Sequence, residues 1–87
     1  MMTLIELAKL TDQDLILVYS NSFEKWIASI KCIGVRYSTT VHYPHGTGLT
    51  PEEALIDYTK EISDETIEYY DGEYTHQLNL GTITYKE

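Results

Sequence analysis

The sequence predicts an α+β fold: one small domain with an antiparallel sheet in the order α-β-β-β-α-β-β and its helices packed on one face. Three observations lead there. Two segments open with helix-capping signatures, Thr3-x-x-Glu6 and Thr50-Pro51-x-Glu53. The residues between them alternate apolar and polar side chains with the period of two that marks strands. The breaks between β-rich runs are short, which favours an antiparallel meander over crossover connections. A chain of 87 residues has room for one core, so residues 1–87 are expected to be one domain.

The first helix is expected over Leu4 to Leu10. Its capping box joins Thr3 and Glu6, and Leu4, Leu7 and Ala8 form a docking stripe with Ile5 nearby. Thr11-Asp12-Gln13-Asp14 is a polar break. Leu15 to Tyr19 reads as a buried or central strand. In the next run Trp26, Ala28, Ile30 and Cys32 form one apolar face, alternating with Ile27, Ser29, Lys31 and Ile33. Trp26 reads as a core anchor. Val35 to Tyr43 gives a third strand, and Gly46-Thr47-Gly48 reads as flexible turn glycines. The second helix follows, with Thr50 as N-cap, Pro51 at its first position, Glu53 closing the box and Leu49 stapled onto Ala54. Ala54, Leu55, Tyr58 and Ile62 recur at helical spacing and should face the sheet. Ser63-Asp64 stops the helix. Thr66 to Tyr70 and Tyr74 to Leu80 read as strands around an Asp71-Gly72 turn, with a further short run over Thr82 to Tyr85.

Composition narrows the function. The apolar share of 43% is globular, too high for a disordered tail and too low for a membrane span. The strongly apolar run Leu15 to Tyr19 is too short to cross a bilayer, and the N-terminus shows no secretory pattern. A net charge of −8 argues against direct nucleic-acid binding, which replaces phosphate counterions with basic side chains. One cysteine, Cys32, excludes an internal disulfide and suits a reducing, cytoplasmic compartment.

Nothing in the sequence points to catalysis. Cys32 falls in the apolar register and reads as an inert core thiol. His42 and His45 lack the further ligands that a zinc site needs, and His76 is distant. Gly46-Thr47-Gly48 lacks the lysine and spacing of a phosphate-binding loop. The chain is therefore expected to be no enzyme, with no cofactor and no metal.

The charge is lopsided. Residues 1–49 balance Glu6, Asp12, Asp14 and Glu24 against Lys9, Lys25, Lys31 and Arg36. Residues 50–87 set ten acids against Lys60 and Lys86 alone, so the whole excess lies there. Such a field either keeps a small domain soluble or steers a basic partner onto it. Interleaved tyrosines favour the second reading, because aromatic side chains anchor interfaces. The candidate partner-binding residues are Asp57, Tyr58, Glu61, Asp64, Glu65, Glu68, Tyr69, Asp71 and Glu73.

From Trp26 onward the chain resembles a group of short phage and prophage proteins of unknown function. The likeness rests on Trp26-Ile27-Ala28, Gly46-Thr47-Gly48, Thr50-Pro51-Glu52-Glu53-Ala54, Asp57-Tyr58 and Ile62, and spans roughly residues 24–70. Where those proteins often carry Gly-Lys after the helix, this chain has Asp64-Glu65. A weaker likeness is to the HicB-type antitoxin core, without its acidic and Pro-Gly signature before the helix and without a DNA-binding segment after it. The resemblance implies a phage-encoded protein acting in a host cytoplasm. The expected function is non-catalytic binding and inhibition of a host protein, a nuclease or defence component, by nucleic-acid mimicry of the anti-CRISPR kind. The alternatives are an antitoxin-like regulatory module, or a small structural or assembly protein forming a homo-oligomer. The expected partner is a host or cognate protein with a basic surface, with a homodimer open and no membrane involved.

Overall fold

Thr3 caps the first helix as the sequence predicts. Its hydroxyl accepts the Glu6 N–H at 3.2 Å while the Glu6 carboxylate accepts the Thr3 N–H at 3.0 Å. The structure, a computed structural model, describes residues 2–85; Met1, Lys86 and Glu87 lie outside them, and with them the Lys86 countercharge. In chain order the elements are β1 (Met2–Thr3), α1 (Leu4–Thr11), β2 (Leu15–Ser20), β3 (Lys25–Ile30), β4 (Gly34–Tyr37), β5 (Thr40–His42), β6 (Gly46–Gly48), α2 (Pro51–Ile62), β7 (Thr66–Tyr70), β8 (Thr75–Asn79) and β9 (Ile83–Thr84). Two helices and antiparallel sheets in one small domain make this an α+β fold.

Where one meander was expected, the strands divide between two antiparallel sheets, ordered β2-β3-β6 and β5-β4-β7-β8. A short parallel pair joins β1 to β9. The division begins at Cys32. Its backbone takes a left-handed conformation, φ 63°, in the turn after β3. That residue breaks the period-two alternation, so Ile33 enters the core and Cys32 faces solvent. The expected buried thiol is thereby corrected. The expected third strand also bends back on itself at Ser38, φ 55°, giving the β4–β5 hairpin with Tyr37 opposite Thr40.

The core gathers Leu4 and Leu7 of α1, Ala28 and Ile30 of β3, Ile33, Val35 of β4, Ile67 of β7, Leu80, Ile83 of β9, and the inward stripe of α2. That stripe is Ala54, Leu55, Tyr58 and Ile62, as expected. Trp26 is only partly buried and packs against the rim of this core, with the Tyr19 ring edge-on at 5.5 Å. Leu15 to Ser20 is an edge strand rather than a central one.

The Gly-Thr-Gly segment is the largest departure. Instead of a flexible turn it is strand β6, paired with β3 so that Gly46 faces Ala28 and Gly48 faces Trp26. Helix α2 lies directly on its backbone. A Cβ on Gly46 would sit 2.2 Å from the Ala54 carbonyl oxygen and 2.2 Å from the Tyr58 nitrogen. The glycines are there so that a helix can touch a strand without a side chain between them.

Candidate functional site

Helix α2 leads from this contact to the acidic half of the chain. Thr50 caps it by accepting the Glu53 N–H at 3.1 Å. Glu53 does not close the expected box on Thr50; its carboxylate takes the Leu49 N–H at 2.9 Å. Leu49 itself is exposed, so the expected staple onto Ala54 does not form.

Two candidate binding residues turn inward. The Asp57 carboxylate accepts the Thr47 N–H at 2.9 Å, capping the free edge of β6. Tyr58 is 0% exposed and fills the centre of the core. Burial pushes its phenol above the ordinary value, tempered by the nearby Ile30 backbone. Among the described residues its hydroxyl has no hydrogen-bond partner of good geometry. Neither residue is placed to meet a partner. Helical spacing already assigned Tyr58 to the sheet-facing stripe, and that signal outweighs its acidic surroundings.

The others lie farther along. Glu61 is exposed on α2, and Asp64 is exposed in the following turn with φ 62°. The backbone here is firmly tied. The Asp64 N–H donates to the Gly81 carbonyl at 3.0 Å, and the Leu80 N–H to the Glu65 carbonyl at 2.9 Å. The Ser63 hydroxyl accepts the Ile83 N–H at 2.9 Å, fixing the end of α2 to β9. Glu65 is half-buried.

On β7, Ile67 and Tyr69 share the core-facing side of the sheet, while Glu68 and Tyr70 share the outward side. Tyr69 stacks on the His76 ring of β8 at 5.2 Å. Glu68 is bound by a base the charge count had placed elsewhere. Arg36 on β4 reaches its Oε1 at 3.1 Å, and the Gln77 amide donates to the same oxygen at 3.2 Å. Both bonds use Oε1, and no bond to Oε2 is found among the described residues. The acidic residues therefore do not form one row. Asp64 and Glu65 precede β7, Asp71 and Glu73 follow it, and Glu68 between them is partly neutralised.

Beside Glu68 the outward surface opens into a groove of about 620 Å³. Cys32, Tyr43, Glu68, Tyr69, Tyr70 and Thr75 line it. Tyr43 and Tyr70 are 68% and 55% exposed. Period-two alternation places Tyr43 in a strand and Cys32 in the core, so neither is legible in the sequence as part of a groove. The fold joins them to β7 only because the chain turns at Cys32.

The β7–β8 turn is built around Asp71. Its Oδ1 accepts the N–H groups of Tyr74 at 2.7 Å and Glu73 at 2.8 Å, and its Oδ2 lies 2.6 Å from His76 Nε2. The Tyr74 N–H, then the His76 side chain and the Glu73 N–H, hold the carboxyl at about 2 instead of 3.8. A carboxyl depressed on folding stabilises the native state above its unfolded value, and that contribution is lost as pH falls through about 2. Carboxyl NMR is expected to show Asp71 titrating near 2, with the Glu73 and Tyr74 amide signals moving at the same midpoint. Titration near 3.8 would show that the turn is not closed in solution.

No three or more His, Cys, Asp or Glu side chains are grouped to hold a metal among the described residues. Among the described residues no helix is long and apolar enough to cross a membrane. In comparisons with known proteins, no family model, no curated protein and no solved structure matches this chain.

Proposed function

We propose that this chain acts without catalysis, by capturing a protein with a basic surface, and that the groove beside Glu68 receives a basic side chain of that partner. The observation that carries this reading is the composition of the groove: two exposed tyrosines beside a carboxylate that uses one oxygen for both its bonds among the described residues. Tyrosine faces attract ammonium and guanidinium groups, and a carboxylate gives such a group a charged acceptor. The excess negative charge of residues 50–87, with Glu61, Asp64, Asp71 and Glu73 exposed, supplies the long-range attraction. Asp57 and Tyr58 take no part, and the broken row of carboxylates favours side-chain capture over imitation of a phosphate strand. The resemblance to small phage proteins supports a phage origin, and the acidic groove supports the role: an inhibitor that occupies a host protein's basic surface in the cytoplasm.

The groove tyrosines supply the test. Wild type and a Tyr43→Ala/Tyr70→Ala variant are immobilised and exposed to bacterial lysate, and retained proteins are identified by mass spectrometry. Wild type is expected to retain a basic protein that added salt releases. The double variant is expected to bind that protein at least about tenfold more weakly, because exposed aromatic anchors carry much of the energy of an interface. Both side chains are exposed, so the fold should survive, which circular dichroism checks. Undiminished capture by the variant would overturn the groove.

A further inference from the structure

Sheet edges expose backbone donors and acceptors, and proteins usually block them. Here β6 is blocked by the Asp57 carboxylate on Thr47 N–H and by α2 against its glycines. Edge strand β5 has three residues, and β8 is polar, with Thr75, Gln77 and Asn79 outward. Edge strand β2 is different. It has six residues, Leu15–Ser20, with no charge and no proline, and its side chains are apolar on both faces. Val18 on one face and Tyr19 on the other are 49% and 48% exposed.

The hydrogen-bond phase of this edge follows from one contact. The Lys31 N–H donates to the Asp14 carbonyl at 2.9 Å, one step beyond the Leu15–Ile30 pair. Bonded and non-bonded pairs alternate along an antiparallel ladder, so Ile16, Val18 and Ser20 bond to β3. Leu15, Leu17 and Tyr19 then aim their N–H and C=O groups outward. The same alternation carried to β6 turns Thr47 N–H away from β3, which is where Asp57 meets it.

We propose that β2 pairs antiparallel with β2 of a second copy across a two-fold axis at Leu17, joining the two three-stranded sheets into one. With Leu17 opposite its own counterpart, Leu15 faces Tyr19 of the other copy, and Ile16 faces Val18. Apolar meets apolar on both faces, and about six backbone hydrogen bonds form from groups that β3 leaves unused. The register also brings Asp14 beside Ser20 of the other copy, with the Lys25 that pairs with that serine one strand further on, so opposite charges lie roughly 10 Å apart at both ends. Shifting one copy along by a residue pair would send Leu15 past the strand into the Asn21 turn. The surplus acids of residues 50–87 lie on other elements, so they do not charge this edge. This pairing is independent of the groove, which lies on the other sheet.

Sedimentation over a dilution series and amide hydrogen exchange test it. The expected mass at high concentration is about twice the 10.0 kDa of one chain. The expected exchange pattern is alternating. Leu15, Leu17 and Tyr19 amides are protected when concentrated and exchange faster on dilution, while Ile16 and Val18 stay protected throughout. Leu17→Lys sets like charges face to face and is expected to weaken association at least about a hundredfold. Its partly exposed site keeps the monomer folded, which circular dichroism checks. A monomer at every concentration, a dimer untouched by Leu17→Lys, or protection of the alternate residues on a strand from a different protein would overturn the proposal.

Discussion

Gly46→Ala is expected to destabilise the fold by about 3 kcal/mol or more. The reason is the seam between β6 and α2. A methyl group there would stand 2.2 Å from the Ala54 carbonyl oxygen, 2.2 Å from the Tyr58 nitrogen and 2.7 Å from the Tyr58 Cα. All three are backbone atoms of one helix, so no rotamer change relieves the clash. The helix must lift off the strand, and lifting it loosens Ala54 and Tyr58 in the core and breaks the Asp57 bond to Thr47. Gly81, where a Cβ would meet nothing within 4 Å, is the matched control and should tolerate alanine. Chemical denaturation of the two variants checks the pair. A near-native midpoint for Gly46→Ala would mean that β6 and α2 are farther apart in solution.

Tyr58 carries the second large effect, and only one of its two substitutions should destabilise the fold. Tyr58→Ala removes a fully buried ring from the core beneath α2 and is expected to cost about 3–5 kcal/mol. Tyr58→Phe removes only a hydroxyl that has no good hydrogen-bond partner among the described residues. It should leave stability unchanged or raise it by about 1 kcal/mol, because an unpaired buried donor is costly. Alkaline pH gives a further check. Folding raises the Tyr58 pKa, so its contribution is present below about 10 and is lost as pH rises through the folded value. Wild type should therefore lose stability above pH 10 more steeply than Tyr58→Phe. Equal destabilisation by both substitutions would place a real partner on the hydroxyl.

Much of this architecture could be read from local chemistry. The Thr3–Glu6 box, the Thr50 cap and the α2 stripe depend on neighbours within four residues, and each stands where the sequence places it. Contacts set by distant partners could not be read that way. Cys32 and Ser38 adopt left-handed backbones without glycine or asparagine to announce them, and those two residues convert one meander into two sheets. The Gly-Thr-Gly segment has the composition of a turn, and only the helix lying on it reveals why side chains are missing. For the candidate site, charge density along the chain gives the acids but not their partners. Asp57 lies ten residues from the N–H it caps, and Glu68 lies thirty-two from Arg36. The groove joins Tyr43 to Tyr70 by tertiary structure alone.

The salt dependence of partner affinity tests the functional account most directly. Calorimetric titrations of the captured protein are run across a salt series with wild type and with Glu61→Lys/Glu65→Lys/Glu73→Lys. Asp64 is left alone because its left-handed backbone suits aspartate better than lysine. Wild-type affinity is predicted to fall steeply as salt screens the exposed acids, and the triple variant to bind weakly even at low salt, with a shallow slope. Equal affinity and equal slope for the two proteins would contradict the account and leave the acidic half of the chain as a solubilising surface.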